Sequence, residues 1–240
     1  MKDKRNDIMM MQTQQPSECG DPVRVEVTNL ANISADSTSA DSYGQAVTDQ
    51  LAEDQYRAGA YSMLAALLRQ PPGQDVLNVV TGLADGVEEK DDFAVAMSML
   101  GLAARAATPA ELDDEFHALF IGIGRGELVP YGSWYLTGFL MEKPLSVLRD
   151  DLASMGFART ESTCEPEDHV AALCEVMTLL IDEGRSPGEQ TRFFNAHMSS
   201  WVGRFFSDLS EARSAVFYRA VARFGKAYFD FEKQYLAMRV

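Results

Sequence analysis

Residues 217–235 read FYRAVARFGKAYFDFEKQY, and their spacing decides the fold class. Phe217, Val221, Phe224, Tyr228, Phe231 and Tyr235 recur in alternating steps of four and three. That averages about 3.5 residues, the seam of helices packed nearly antiparallel in a bundle. The same helical period runs through the chain upstream. Ser186-Pro187-Gly188-Glu189 has the form of a capping box, and the helix it opens carries Phe194, Met198, Trp201, Phe205 and Leu209 on its apolar side. Pro166 starts a helix with Val170, Leu173, Cys174, Met177 and Leu180 on one face. Before it, Leu145, Leu148, Leu152 and Met155 form a helix closed by Gly156.

Further back, Thr108-Pro109-Ala110-Glu111 is a capping box with proline at the first helical position. It opens a helix with Leu112, Phe116, Leu119 and Phe120, preceded by stripes at Phe93, Met97, Leu100 and Ala104 and at Val76, Val79, Val80 and Leu83. Tyr61, Leu64, Ala65 and Leu68 belong to the first strong helix, ended by Pro71-Pro72-Gly73. Amphipathic helices without a strand pattern require helix-on-helix packing, so the fold is all-α, a single helical bundle.

Residues 1–48 read differently, as a flexible or loosely packed arm before a helical domain at 49–240. The stretch ANISADSTSADSYGQ is rich in Ser, Ala and Asp and offers little to bury. Val23, Val25 and Val27 have the strand period, but a single such run has no partner to pair with.

Composition excludes several functions. The net charge of −15, from 36 acidic against 21 basic residues, repels phosphate backbones and favours cationic partners, so no nucleic acid is expected. Three cysteines at irregular spacing, Cys19, Cys164 and Cys174, are no disulfide framework and suit a reducing compartment. The apolar run Ile8–Met11 is too short for a secretory signal, and no run approaches a membrane span. Cytoplasmic residence without membrane insertion follows as the expectation.

Two segments interrupt the regular helices. Val129-Pro130-Tyr131-Gly132-Ser133-Trp134-Tyr135 sets three aromatics and a hydroxyl beside the glycine-rich stretch 122–131. Glu165-Pro166-Glu167-Asp168-His169 sets three carboxylates and an imidazole at a helix start. Aromatics beside a loop also serve packing, and acidic residues in a first turn also complement the helix dipole. Catalytic readings lack their parts. Gly122-Ile123-Gly124-Arg125-Gly126 has no phosphate-loop lysine, paired Glu-x-x-His motifs are absent, and His117, His169 and His197 have no HExxH or CxxC companions. No enzyme, metal or cofactor is expected.

Three ordered motifs carry a resemblance: Glu115-Phe116-x-x-Leu119-Phe120-x-Gly122, Tyr131-x-Ser133-x-Tyr135 and Glu165-Pro166-x-Asp168-His169. With His197-x-x-x-Trp201-x-x-x-Phe205 and Phe217-Tyr218, the chain from about Tyr56 to Tyr235 resembles the TorD/DmsD/NarJ family of redox enzyme maturation chaperones, closest to the TorD/DmsD branch. The resemblance implies about ten helices and a cytoplasmic chaperone. Its partners would be the catalytic subunit of a molybdopterin-dependent oxidoreductase and the twin-arginine signal peptide of that subunit, held until cofactor insertion so that export is not premature. It also implies a possible homodimer, and leaves a GTP-dependent regulatory switch or a structural oligomerisation module as alternatives.

Physically, Glu165, Glu167 and Asp168 offer carboxylates to guanidinium forks, and Tyr131, Trp134 and Tyr135 an apolar and cation–π surface. Ser133 either bonds a peptide backbone or caps the following turn. Pro166 belongs to the same peptide-binding set, and His169 fixes the loop by a hydrogen bond. The expectation is that both segments face a common groove that binds peptide.

Overall fold

Helix boundaries follow the caps read from the sequence. The computed structural model describes residues 42–84, 91–122, 126–158 and 165–239, and among these the chain forms ten α-helices. They are α1 (Ser42–Arg69), α2 (Gln74–Thr81), α3 (Asp92–Ala106), α4 (Pro109–Phe116), α5 (Gly132–Thr137), α6 (Lys143–Ser154), α7 (Val170–Asp182), α8 (Pro187–His197), α9 (Val202–Glu211) and α10 (Phe217–Met238). Both expected capping boxes are formed, Thr108 with Glu111 at α4 and Ser186 with Glu189 at α8. α1 begins at Ser42, ahead of the boundary expected at 49. The rest of the expected arm, the Val23–Val27 run, Cys19 and Cys164 lie outside the described residues. Cys174 is free and buried.

The core lies where α1 runs along α7 and α10 lies against α9 and α3. Tyr61, Leu64 and Leu68 of α1, Leu173 and Met177 of α7, and Val221, Phe224 and Tyr228 of α10 are all buried there. Each such side chain stabilises the fold by about 1.5–3 kcal/mol through apolar area removed from water. Phe231 departs from the expected seam. It is 44% exposed and stacks at the edge, its centroid 6.0 Å from that of Phe93 and 6.1 Å from that of Tyr235.

Three expectations are corrected. The helix expected across Phe194 to Leu209 is two helices, α8 and α9. The indole N–H of Trp201 donates to the His197 carbonyl at 2.7 Å, while the Trp201 backbone N–H turns to Met198 at 3.2 Å. A side chain thus takes the acceptor that the backbone ladder would have used. Pro166 does not start α7. It opens a turn, and α7 begins at Val170. Finally, the α4 path continues as a π-helical turn over His117–Ile121, closed by the Gly122 N–H on the His117 carbonyl at 2.7 Å, with Gly122 at φ 57°.

Candidate functional site

The two irregular segments meet. Tyr131 and His169 pair as an isolated antiparallel bridge. The Gly132 N–H donates to the Asp168 carbonyl at 2.9 Å and the Val170 N–H to the Pro130 carbonyl at 2.9 Å. Across this bridge the Tyr131 and His169 rings meet edge to face, with centroids 5.1 Å apart.

Asp168 and His169 each cap a different helix. α5 starts at Gly132, and its first N–H groups lack intrahelical acceptors. Asp168 supplies them: its carbonyl receives Gly132 and its Oδ2 receives the Ser133 N–H at 2.7 Å. The adjacent His169 turns the other way and accepts the Ala171 N–H at Nδ1, 3.1 Å away, capping α7. Burial, assisted by the positive charge of Arg69, holds the His169 imidazole down at about 3, so the ring is neutral. The expectation that His169 fixes its segment by a hydrogen bond matches this geometry.

The remaining candidates divide by exposure. Ser133, Tyr135, Asp168 and His169 are buried, Tyr131, Trp134, Pro166 and Glu167 are half-buried, and Glu165 is exposed. Glu165 accepts the Tyr131 hydroxyl proton, and Arg149 of α6 donates through Nε to Glu167 Oε2 at 3.0 Å. Burial first, then the Glu165 carboxylate, raises the Tyr131 phenol above its ordinary value, so it stays a donor. Tyr135 belongs to the core: its hydroxyl donates to Asp208 at 3.0 Å, its ring stacks on Trp201 at 5.4 Å, and Arg204 lies over its face. Trp134 packs at the core's margin. A Cβ at Gly132 would lie 3.3 Å from the Trp201 indole, a tight contact that the bare glycine avoids.

A groove of about 410 Å³ opens beside this junction. It is lined by Gly132 and Asp168 from the junction, Leu136 and Thr137 of α5, Val147 of α6 and His197 of α8. His197 is held from outside by Asp151, 2.7 Å from its Nε2. Two buried polar atoms here, Ser133 Oγ and Asp168 Oδ1, have no hydrogen-bond partner among the described residues. Leu136, Val147 and His197 escaped sequence reasoning as site residues. The motif from His197 to Phe205 was the available signal, and α6 offered none beyond its apolar side. No group of three or more His, Cys, Asp or Glu side chains able to hold a metal ion occurs among the described residues.

The profile of the nitrate reductase delta subunit family matches residues 82–207, more than half of the chain. The chain belongs to the nitrate reductase delta subunit family. Curated relatives agree in kind. The chaperone protein TorD of Aliivibrio salmonicida is 26% identical over 191 residues, covering 74% of this chain and 89% of the relative. TorD of Vibrio atlanticus is 25% identical over 211 residues, covering 79% and 98%. A solved structure described as a putative redox enzyme maturation protein from Archaeoglobus fulgidus superposes with a TM-score of 0.50 at 19% identity, covering 74% of this chain and 93% of that one, which shows a shared fold. The resemblance read from the motifs therefore holds. This member of the nitrate reductase delta subunit family is, like its curated relatives, a chaperone and not a catalyst.

Proposed function

We propose that this chaperone acts in the cytoplasm on one molybdopterin-containing oxidoreductase, binding its twin-arginine signal peptide and its apo form until the cofactor is inserted. In this reading the domain at 49–240 binds the client, at a site built from Tyr131, Ser133, Trp134, Tyr135 and Glu165 to His169, and residues 1–48 are an appended arm. The observation that carries the proposal is the junction of the two segments beside the groove, with the bridge from Tyr131 to His169 holding them together. Helix caps make that junction rigid, so the half-buried aromatics and the carboxylates present a fixed face rather than a floppy loop. The net charge of −15 adds long-range attraction for a leader that carries two arginines.

The chemistry predicts a mixed contact. Carboxylates meet guanidinium groups through paired N–H···O bonds, and apolar surface takes the greasy remainder of the leader. Calorimetry of the purified protein with a synthetic twin-arginine leader is expected to give binding that weakens as salt rises from low to physiological, since the Debye length falls to about 8 Å there. Glu165→Gln with Glu167→Gln is expected to weaken binding about two- to tenfold, in line with exposed or half-exposed charge contacts. Equal affinity for a leader whose arginines are replaced by glutamine would overturn the reading.

A further inference from the structure

Four large apolar side chains lie at the end of α5 and in the turn after it. Leu136 is 45% exposed, Phe139 68%, Leu140 48% and Met141 72%, and Val147 of the facing α6 adds another at 45%. Leu136 and Val147 both line the groove, and Phe139, Leu140 and Met141 lie in the short connection between the lining residues Thr137 and Lys143, so the five form an exposed apolar ridge next to it. Consecutive exposed apolar residues depart from the pattern of a soluble surface and mark a contact face.

The turn is built to hold them outward. Gly138 takes the left-handed conformation at φ 83°, and the Thr137 hydroxyl donates to the Ser133 carbonyl at 2.8 Å while receiving the Phe139 N–H at 3.2 Å. Met141 is the one positive-φ residue other than glycine among the described residues, at φ 60°. Methionine has no side-chain hydrogen bond to offset that backbone, and glycine would adopt it without steric cost. Backbone strain of this kind clusters at ligand clamps and switch regions, which points to Met141 as a contact residue.

We propose that this ridge, Leu136, Phe139, Leu140, Met141 and Val147, docks the apolar segment of a bound polypeptide whose basic end lies toward Asp168. The inference rests on the peptide-binding reading given above and assigns that reading a docking surface and a direction. Charge selects the occupant. Asp168, which lines the groove, carries an unmatched carboxylate oxygen, which calls for an N–H donor. Lys143 and His197 also line the groove, and His197 is already engaged by Asp151. A second copy of this chain, at −15, would bring a like-charged surface to the face, whereas a cationic segment with an apolar continuation matches both ends.

The test uses the full chain and a synthetic peptide of two arginines followed by a leucine- and alanine-rich stretch, with a photoreactive phenylalanine analogue at either end. Fluorescence anisotropy should show Phe139→Ser with Val147→Asp weakening binding at least about tenfold, as expected for losing burial of large apolar side chains. The melting temperature of that variant should stay near wild type, because both positions face solvent. Met141→Gly is the second variant: it should melt higher than wild type and bind a few-fold more weakly. Crosslinks from the apolar end should map to residues 136–147, and those from the arginine end nearer to 165–169. If both variants bind as wild type does, or the crosslinks run in the opposite sense, the ridge is not the docking surface, and the peptide-binding reading survives. If wild type binds no peptide at all, that earlier reading fails and takes this one with it.

Discussion

His169 accepts the Ala171 N–H at Nδ1, so this nitrogen carries no proton while the cap of α7 is made. Burial and Arg69 place its folded value at about 3, below the usual 6.5 or so of an unfolded histidine. Between those values the unfolded chain binds a proton that the folded protein refuses, so stability rises with pH across the window and is lost as pH falls. Above about 6.5 the group adds no pH dependence. Wild type should therefore lose up to about 1.4 kcal/mol per pH unit, below about pH 6.5, relative to His169→Asn, which can cap without titrating. Urea melts of the two proteins at several pH values decide it, and parallel curves would refute the assignment. The sequence made this residue visible as one that fixes its loop by a hydrogen bond but not as the cap of α7, because a cap is defined by which N–H faces the ring. Glu115 is the converse case. It stands in the motif that suggested the family, and it receives the N–H groups of Val216, Phe217 and Tyr218 at 2.8, 3.1 and 2.8 Å. A carboxylate a hundred residues upstream thus caps α10, and no local pattern announces such a pairing.

At the scale of elements, helix existence was legible from the period and the starts of α4 and α8 from their capping boxes, because both signals are local. Breaks were less so. The end of α8 depends on an indole N–H competing for the His197 carbonyl, and α5 is a six-residue helix that forms because Asp168 completes its first turn from outside. Both are tertiary events without a local signature. Helix crossings have one in hindsight: Gly225, in the middle of the stretch that decided the fold class. A Cβ at Gly225 would come within 2.2 Å of the Phe206 ring, which is fully buried between α9 and α10. The buried ring must shift to admit a methyl group, so overpacking is expected to cost Gly225→Ala about 1–3 kcal/mol despite the better helix propensity of alanine. Chemical denaturation should show the midpoint falling with an unchanged slope. A gain in stability would mean that the two helices separate freely at that crossing.

Across the whole molecule, α1 is tied to the C-terminal helix by charge rather than by apolar contact alone. Arg57 donates to Glu232 through Nε at 2.9 Å and through Nη2 at 2.6 Å, with Gln190 at 2.8 Å and Asp54 at 2.8 Å completing its set. Glu232 is fully buried and also receives the Tyr61 hydroxyl at 3.3 Å. The helical period places residue 232 beside Tyr228 and Tyr235, yet nothing local singles this glutamate out, since its partner lies in the first helix. Removing one member of such a pair strands the other charge in a low-dielectric core, which costs about 3–5 kcal/mol, while removing both restores much of that loss. Arg57→Met is therefore expected to lower stability by that amount, and Arg57→Met with Glu232→Gln to lie well above the single variant. A double-mutant cycle by urea denaturation measures the difference as a coupling free energy. Additive losses would show that water reaches Glu232 once Arg57 is gone, and that α1 and α10 are held by their apolar faces alone.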